Sequence, residues 1–189
     1  MNVPQLVAPT LEDCEEVRGW RNAEGSRATL RTPMMLTQEQ QAAFYRDVVC
    51  DRSAPHRYWS LVGPDPVPRM PKIVAGSMLL AFGGLTDIEW ENGAAQISLI
   101  VRPDVRGHGV GREAVRLILR EAFERMRLLT VHGEVYDCNP ASAFWRSRAG
   151  TNVAYVPGRK WWDGRLHGSL VFWFSAPRPN EEATSVQSA

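Results

Sequence analysis

Ala95-Gln96-Ile97-Ser98-Leu99-Ile100-Val101, followed by Arg106-Gly107-His108-Gly109-Val110-Gly111, settles the architecture of this chain. The first run alternates and then turns fully apolar, the pattern of a strand passing into a core. From the second run onward Val110, Ala114, Leu117, Ile118 and Ala122 recur at helical spacing, which predicts an amphipathic helix. Strand, glycine loop and helix in that order set bare backbone N–H groups at a helix N-terminus, where unpaired donors and the helix dipole favour an anion. The glycines let backbone approach that anion closely, and Arg106 and Arg112 add charge. Two common phosphate loops are excluded by spacing. A dinucleotide fingerprint needs glycine where Arg112 stands, and a P-loop needs Lys-Ser/Thr where Arg112-Glu113 stand.

Outward from this loop the chain reads, in order, as two helices, three strands, a helix, a strand, a helix and two strands. Thr10 before Leu11-Glu12-Asp13 predicts a capped helix to about Asn22. After an Arg- and Thr-rich loop over Ala23–Pro33, Thr37 and Gln40 form a capping box for a helix to about Val49. Arg57–Val62 is a strand, Gly63–Pro71 with its four prolines a surface loop, and Ile73–Phe82 a second strand. Gly83-Gly84 reads as a bulge or turn, Leu85–Trp90 as a short extension, and Glu91-Asn92-Gly93 as a hairpin turn. Leu128–Val135 is a strand, and a helix follows Asn139 and ends near Gly150. Asn152–Val156 and Leu166–Phe174 are late strands, joined by a turn at Trp161-Trp162-Asp163-Gly164. The fold class is α+β: one domain over residues 1–176, with a central mixed, mostly antiparallel sheet flanked by helices, and a disordered tail over 177–189.

Bulk properties narrow the function. The chain has 189 residues, enough for one domain with a full core, and a formal net charge of +1, so no global charge points to nucleic acid or a membrane surface. Cys14, Cys50 and Cys138 are scattered without CxxC spacing, which predicts free thiols and no metal site. No apolar run approaches membrane-spanning length, and no leader pattern opens the chain. The expectation is a cytoplasmic protein without a membrane partner.

Arg106, Gly109 and Gly111 together fit Arg/Gln-x-x-Gly-x-Gly/Ala, a pattern that resembles the pyrophosphate loop of the GNAT superfamily of acyl-CoA-dependent N-acetyltransferases. The strand over Leu128–Val135 followed by Asn139-Pro140-Ala141-Ser142 and a helix resembles a second element of the same superfamily. In the N-terminal third, Trp20-Arg21-Asn22 and Leu36–Gln40 leading to Phe44-Tyr45 resemble the RimJ/RimL-like branch, to which bacterial amino-sugar acetyltransferases are similar. The resemblance implies acetyl-CoA as cosubstrate. Backbone of Leu99, Ile100 and Val101 would then pair with the pantetheine arm, and Arg106, Gly107, His108, Gly109, Val110, Gly111 and Arg112 would take the pyrophosphate. Asn139 would bond pantetheine and Ser142 the thiol side, though both residues also suit helix caps.

Acetyl transfer to an amine needs a base, because an alkylammonium has a pKa near ~10.4. Asp87 and Glu89, two apart on one strand, and Glu134 on the strand after the helix are the candidate carboxylates. Many members of the superfamily carry a tyrosine seven residues after the asparagine, where this chain has Arg146, so Tyr136, Tyr155 or water is the candidate proton donor. Arg159, Trp161 and Trp162 on the late hairpin, with Arg31, present guanidinium forks beside aromatic planes. That combination suits a small amine acceptor that is phosphorylated or base-bearing, such as a nucleotide-linked amino sugar. An amine on a modified nucleic-acid base, or a protein N-terminus, is the alternative acceptor. A non-catalytic acyl-CoA-binding module is the alternative of another class, with Arg146 marking the lost donor. The aromatic late strands also suit a homodimer contact.

Overall fold

The computed structural model describes residues 3–64 and 78–177. The start of the strand expected from Ile73, most of the loop expected over Gly63–Pro71 and all but the first residue of the tail expected over 177–189 lie outside the described residues. Seven strands form one mixed sheet in the order β1-β2-β3-β4-β5-β7-β6. They are β1 (Gln5–Val7), β2 (Arg57–Gly63), β3 (Met78–Glu89), β4 (Ala94–Val101), β5 (Thr130–Tyr136), β6 (Val153–Trp162) and β7 (Arg165–Ser175). All neighbours pair antiparallel except β4 and β5, which run parallel. The β1 edge strand has no counterpart in the sequence reading: it spans three residues, too few to show a period.

Five helices cover the sheet: α1 (Leu11–Asn22), α2 (Glu24–Arg27), α3 (Gln38–Phe44), α4 (Val110–Arg120) and α5 (Ala141–Ala149). Both expected capping boxes form. Thr10 Oγ1 accepts from Asp13 N at 3.1 Å while Asp13 Oδ2 accepts from Thr10 N at 3.0 Å, and Thr37 and Gln40 do the same for α3. A wide turn over Tyr45–Val49 extends α3, and another over Glu121–Arg125 extends α4. α2 interrupts the segment expected as loop from Ala23 to Pro33.

Apolar alternation along β4 divides the core into two layers. Ile97 joins Val115 and Ile118 of α4, Trp145 of α5, and Phe172 of β7, whereas Ile100 packs against Cys14, Val17 and Trp20 of α1 with Phe82 of β3. Helices α4 and α5 therefore lie on one face, and α1 and α3 on the other. Val110, Ala114, Leu117, Ile118 and Ala122, the predicted stripe, are all buried. Val110, Leu117 and Ile118 each contribute about 1.5–3 kcal/mol by leaving water, and each alanine methyl about 0.8 kcal/mol.

Two local readings are corrected. Gly83-Gly84 is neither bulge nor turn but lies flat inside β3. A Cβ on Gly83 would stand 2.4 Å from Ser98 O and one on Gly84 1.9 Å from Arg57 O, so glycine lets both neighbouring strands close in. The irregularity sits further on, between Thr86 and Glu89, where Asp87 adopts φ 50°. Similarly, Trp161 and Trp162 belong to β6 itself, paired with Leu166 and Arg165, and Asp163-Gly164 alone make the turn.

Candidate active site

The only parallel joint of the sheet among the described residues is short. Ala94, Ala95 and Gln96 pair with Thr130, Val131 and His132, and beyond these residues β4 and β5 diverge. From Ile97 to Val101 the β5-facing edge of β4 has no strand partner among the described residues, while its other edge stays bonded to β3. The wedge opens into a cavity of about 420 Å³ lined by, among others, Ser98 and Leu99 of β4, Glu134 and Tyr136 of β5, and Asp87 and Arg21. A second chamber of about 350 Å³ lies beneath α1 and α3 and shares Arg21, Tyr58, Ser98 and Leu99 with the first.

At the far end of β4 a short 3-10 turn, Pro103–Val105, is anchored by the fully buried Val105 and hands the chain to the glycine loop. Gly107 and Gly109 take φ 84° and 83°, left-handed conformations that favour glycine. Gly109 is the N-cap of α4, and no side chain caps that end. A Cβ on either glycine would meet nothing within 4 Å, so both border open space. Gly111 differs, since a Cβ there would rest against the Phe144 ring at 3.5 Å. Arg106 Nε donates to Val101 O at 3.1 Å, tying the loop to the strand end, while Val110 is buried and His108 and Arg112 are exposed. Uncapped first-turn amides beside an open, left-handed glycine loop fit a pyrophosphate.

The three candidate carboxylates part company. Glu134 sits in the cavity wall between Arg159, whose Nε donates at 2.9 Å, Arg31 at 3.4 Å and the Ser169 hydroxyl at 2.6 Å. Chiefly the Arg159 hydrogen bond holds its carboxyl below the usual carboxylate range. Asp87 also lines the cavity, and its N–H donates to His56 Nδ1 at 3.1 Å. Glu89 does not line it: the bulge at Asp87 breaks the alternation that would have placed both on one face, and Glu89 Oε2 instead accepts from Asn92 Nδ2 at 2.8 Å in the turn. Tyr136 borders the cavity, whereas Arg146 is exposed on α5.

Asn139 lines the cavity, but Oδ1 accepts from Ala141 N at 2.9 Å and Nδ2 donates to Thr29 O at 3.4 Å, so its side chain caps α5 and reaches the loop before α3. Ser142 gives its backbone N–H to Asn139 O at 2.9 Å and does not line the cavity. Neither Trp161 nor Trp162 reaches it. Trp161 is 70% exposed, and Arg159 bears on the cavity only through Glu134.

Three further residues shape the cavity, and of these only His56 lacked any signal in the sequence. Lys160 Nζ donates to Ala28 O at 2.7 Å and Leu30 O at 2.8 Å, and lies 5.0 Å from the ring centroids of both Tyr136 and Trp162. It fastens the segment bearing Thr29, Leu30 and Arg31 over the cleft. His56 sits on the wall beside Asp87. Arg21 lies between the two chambers. Their contacts span distant parts of the chain, so no local pattern shows what they touch.

Away from the cleft, Asp137, Cys138 and His167 place their ligand atoms within 4.8 Å of one another. His167 Nδ1 already meets Asp137 Oδ1 at 2.8 Å and Nε2 accepts from Arg165 at 3.2 Å, while Asp137 Oδ2 accepts from Gly168 N and the Tyr155 hydroxyl. Both ring nitrogens are spoken for, and the cluster holds β7 against the end of β5. No helix among the described residues is long and apolar enough to cross a membrane.

Residues 5–151 match the family described as acetyltransferase (GNAT) domain. A search of curated proteins finds no match. Among solved structures, the chain resembles spermidine N-acetyltransferase from Vibrio cholerae in complex with CoA and spermine, with TM-score 0.75 and 15% identity over 91% of this chain and 95% of that one. It also resembles spermidine/spermine N-acetyltransferase from the same organism in complex with manganese ions, with TM-score 0.67 and 16% identity over 91% and 92% of the two chains. A dodecameric form of the spermidine enzyme in an intermediate state gives TM-score 0.70 at 15% identity over 91% and 93%.

Proposed function

The chain belongs to the acetyltransferase (GNAT) domain family and is an acetyl-CoA-dependent N-acetyltransferase; from this premise we propose that its acceptor is a small primary amine on a nucleotide-linked molecule such as an amino sugar, bound in the wedge between β4 and β5. One observation supports the reading: the free edge of β4 borders a cavity with carboxylate, phenol and guanidinium walls, and β4 leads at its carboxyl end to the uncapped glycine loop. The RimJ/RimL-like branch is part of the same proposal, and rests on the N-terminal motifs alone.

Acetyl-CoA supplies the acyl group as a thioester, whose carbonyl carbon accepts the amine. On this reading the free edge of Leu99–Val101 and the amides at the start of α4 hold the cosubstrate, with Arg106 and Arg112 adding charge. Asp87 takes the proton of the acceptor ammonium, directly or through one water, so that nitrogen attacks neutral. Glu134, held ionised by Arg159, is a poor proton acceptor but a good anionic neighbour for an ammonium. Tyr136 gives a proton to the departing sulfur and is reprotonated, through water in the cleft, by the second proton that leaves the nitrogen as the amide forms.

Thiol release measured against nucleotide amino sugars, aminomethyl nucleosides and peptides tests the reading, with Asp87→Asn and Glu89→Gln in parallel. General-base loss costs about 10²–10⁴-fold, so Asp87→Asn is expected to lower kcat at least a hundredfold and flatten the acid limb of the pH profile, with Glu89→Gln close to wild type. Equal profiles for the two variants would remove Asp87. Tight acetyl-CoA binding without thiol release on any amine would favour a binding module.

A further inference from the structure

We infer that Arg21 is the receptor for an oxyanion, phosphate or carboxylate, carried by the acceptor itself, so that the enzyme takes amphoteric amines rather than polycations. The inference rests on the wedge being the acceptor site, and it deepens that reading by naming what the acceptor must carry besides its amine.

Arg21 stands in the last turn of α1, where it faces both chambers. Its Nε is buried and has no hydrogen-bond partner. Several other arginines are matched to acids, Arg18 to Glu15, Arg31 and Arg159 to Glu134, Arg102 to Asp104 and Arg116 to Glu113, while Arg27, whose Nε is likewise buried without a partner, does not line either chamber. Among the described residues no carboxylate pairs with Arg21. The group acting on it is the Tyr58 phenol, pushed up to about 12 chiefly by burial and therefore neutral at physiological pH. Burial also draws the Arg21 guanidinium below its ordinary range, the signature of a cation without compensation.

A buried charge without a partner is costly, and a fold keeps one where a ligand completes the pair. The planar guanidinium fork matches carboxylate and phosphate oxygens in a bidentate way. Asp87 acts on Tyr58 from one side and Arg21 from the other, so an anion-binding group and a candidate base share one wall of the cavity. An acceptor with its amine toward Asp87 and its oxyanion on Arg21 meets opposite charge at both ends. A polyamine would face an uncompensated guanidinium.

The test compares matched acceptors on the wild-type enzyme: an aminoalkyl phosphate, an amino carboxylate of similar length, the corresponding amino alcohol and spermidine. The anion-bearing amines are expected to exceed the amino alcohol in kcat/KM by at least tenfold, and the phosphate and carboxylate arms identify which oxyanion is preferred. Arg21→Met should collapse that preference toward unity through KM, Arg21→Lys should restore part of it, and acetyl-CoA affinity by calorimetry should not move. With its unpaired cation gone, Arg21→Met should melt no lower than wild type without ligand. Equal use of the amino alcohol, a preference for spermidine, or a preference that survives Arg21→Met would overturn the assignment. Should no amine turn over, the transfer reading fails separately. Calorimetric binding of the aminoalkyl phosphate to wild type and Arg21→Met then decides the role of Arg21, and equal or absent binding in both refutes it.

Discussion

Replacing Lys160 with methionine keeps the length and apolar stem of the side chain and removes only its charge and donors. In the native protein the ammonium serves two carbonyls, at 2.7 Å and 2.8 Å, and two aromatic rings, each 5.0 Å away. A hydrogen bond from a charged donor is worth ~1.5–3 kcal/mol and a cation–π contact at a partly exposed site ~0.5–1 kcal/mol. One ammonium shared among four partners does not yield the full sum, and methionine retains the stem packing, so we set the loss at about 3 kcal/mol. The loss falls on the docking of the segment around Ala28–Arg31, because its other ties, Asn139 to Thr29 and Arg31 to Glu134, are both long at 3.4 Å. At about 1.4 kcal/mol per decade, the docked-to-open ratio drops roughly a hundredfold. Amide hydrogen exchange at Thr29 and Leu30 should accelerate by that order, and acceptor KM should rise at least tenfold. Acetyl-CoA affinity should hold, because the glycine loop is on another part of the chain. Unchanged exchange together with unchanged acceptor KM would refute the latch, as would a parallel loss of acetyl-CoA binding.

Gly109→Val places a branched side chain at φ 83°, a strain of about 1–3 kcal/mol, yet its Cβ meets no protein atom within 4 Å. The variant should therefore fold, melt several degrees lower and bind acetyl-CoA at least thirtyfold more weakly; calorimetry beside a thermal melt checks this, and normal binding would displace the cradle. For Glu134→Gln the sign follows from the depressed carboxyl. Stability from such a group is present above its unfolded pKa near ~4.3 and is lost as pH falls through the folded value. Wild type should thus out-melt Glu134→Gln at pH 7, and the gap should narrow below about pH 4; a constant gap down to pH 3 would contradict the Arg159 bond as its source.

The strand-loop-helix core of the fold was readable because its signals are local. The helical stripe from Val110 to Ala122 and both capping boxes need only neighbours within a turn or two. The glycine pair at Gly83-Gly84 was misread because tight strand packing and a turn leave the same trace in sequence, and only Ser98 O and Arg57 O tell them apart. The separation of Asp87 from Glu89 depends on one left-handed residue, which no periodicity reveals. Lys160 reaches carbonyls about 130 positions earlier, and Arg21 becomes notable only when every acid is seen to lie elsewhere. Trp161 and Trp162, conspicuous by composition, lie outside the cavity for an equally non-local reason: β6 is the outermost strand, on the far side of β7 from β5.

The brevity of the β4–β5 joint bears on how the molecule comes apart. Three rungs connect a four-stranded block to a three-stranded one, supplemented by side-chain packing under α4 and α5 and by the side-chain ties of Lys160, Asn139 and Arg31. Two blocks joined so lightly can open as separate cooperative units, and the outer one, ending in the exposed strand β6, has the smaller reserve. On the proposed placement, a cosubstrate gripping the free edge of β4 would add its binding free energy to the seam itself. Saturation would then act as a rivet, turning a two-step loss of protection into one.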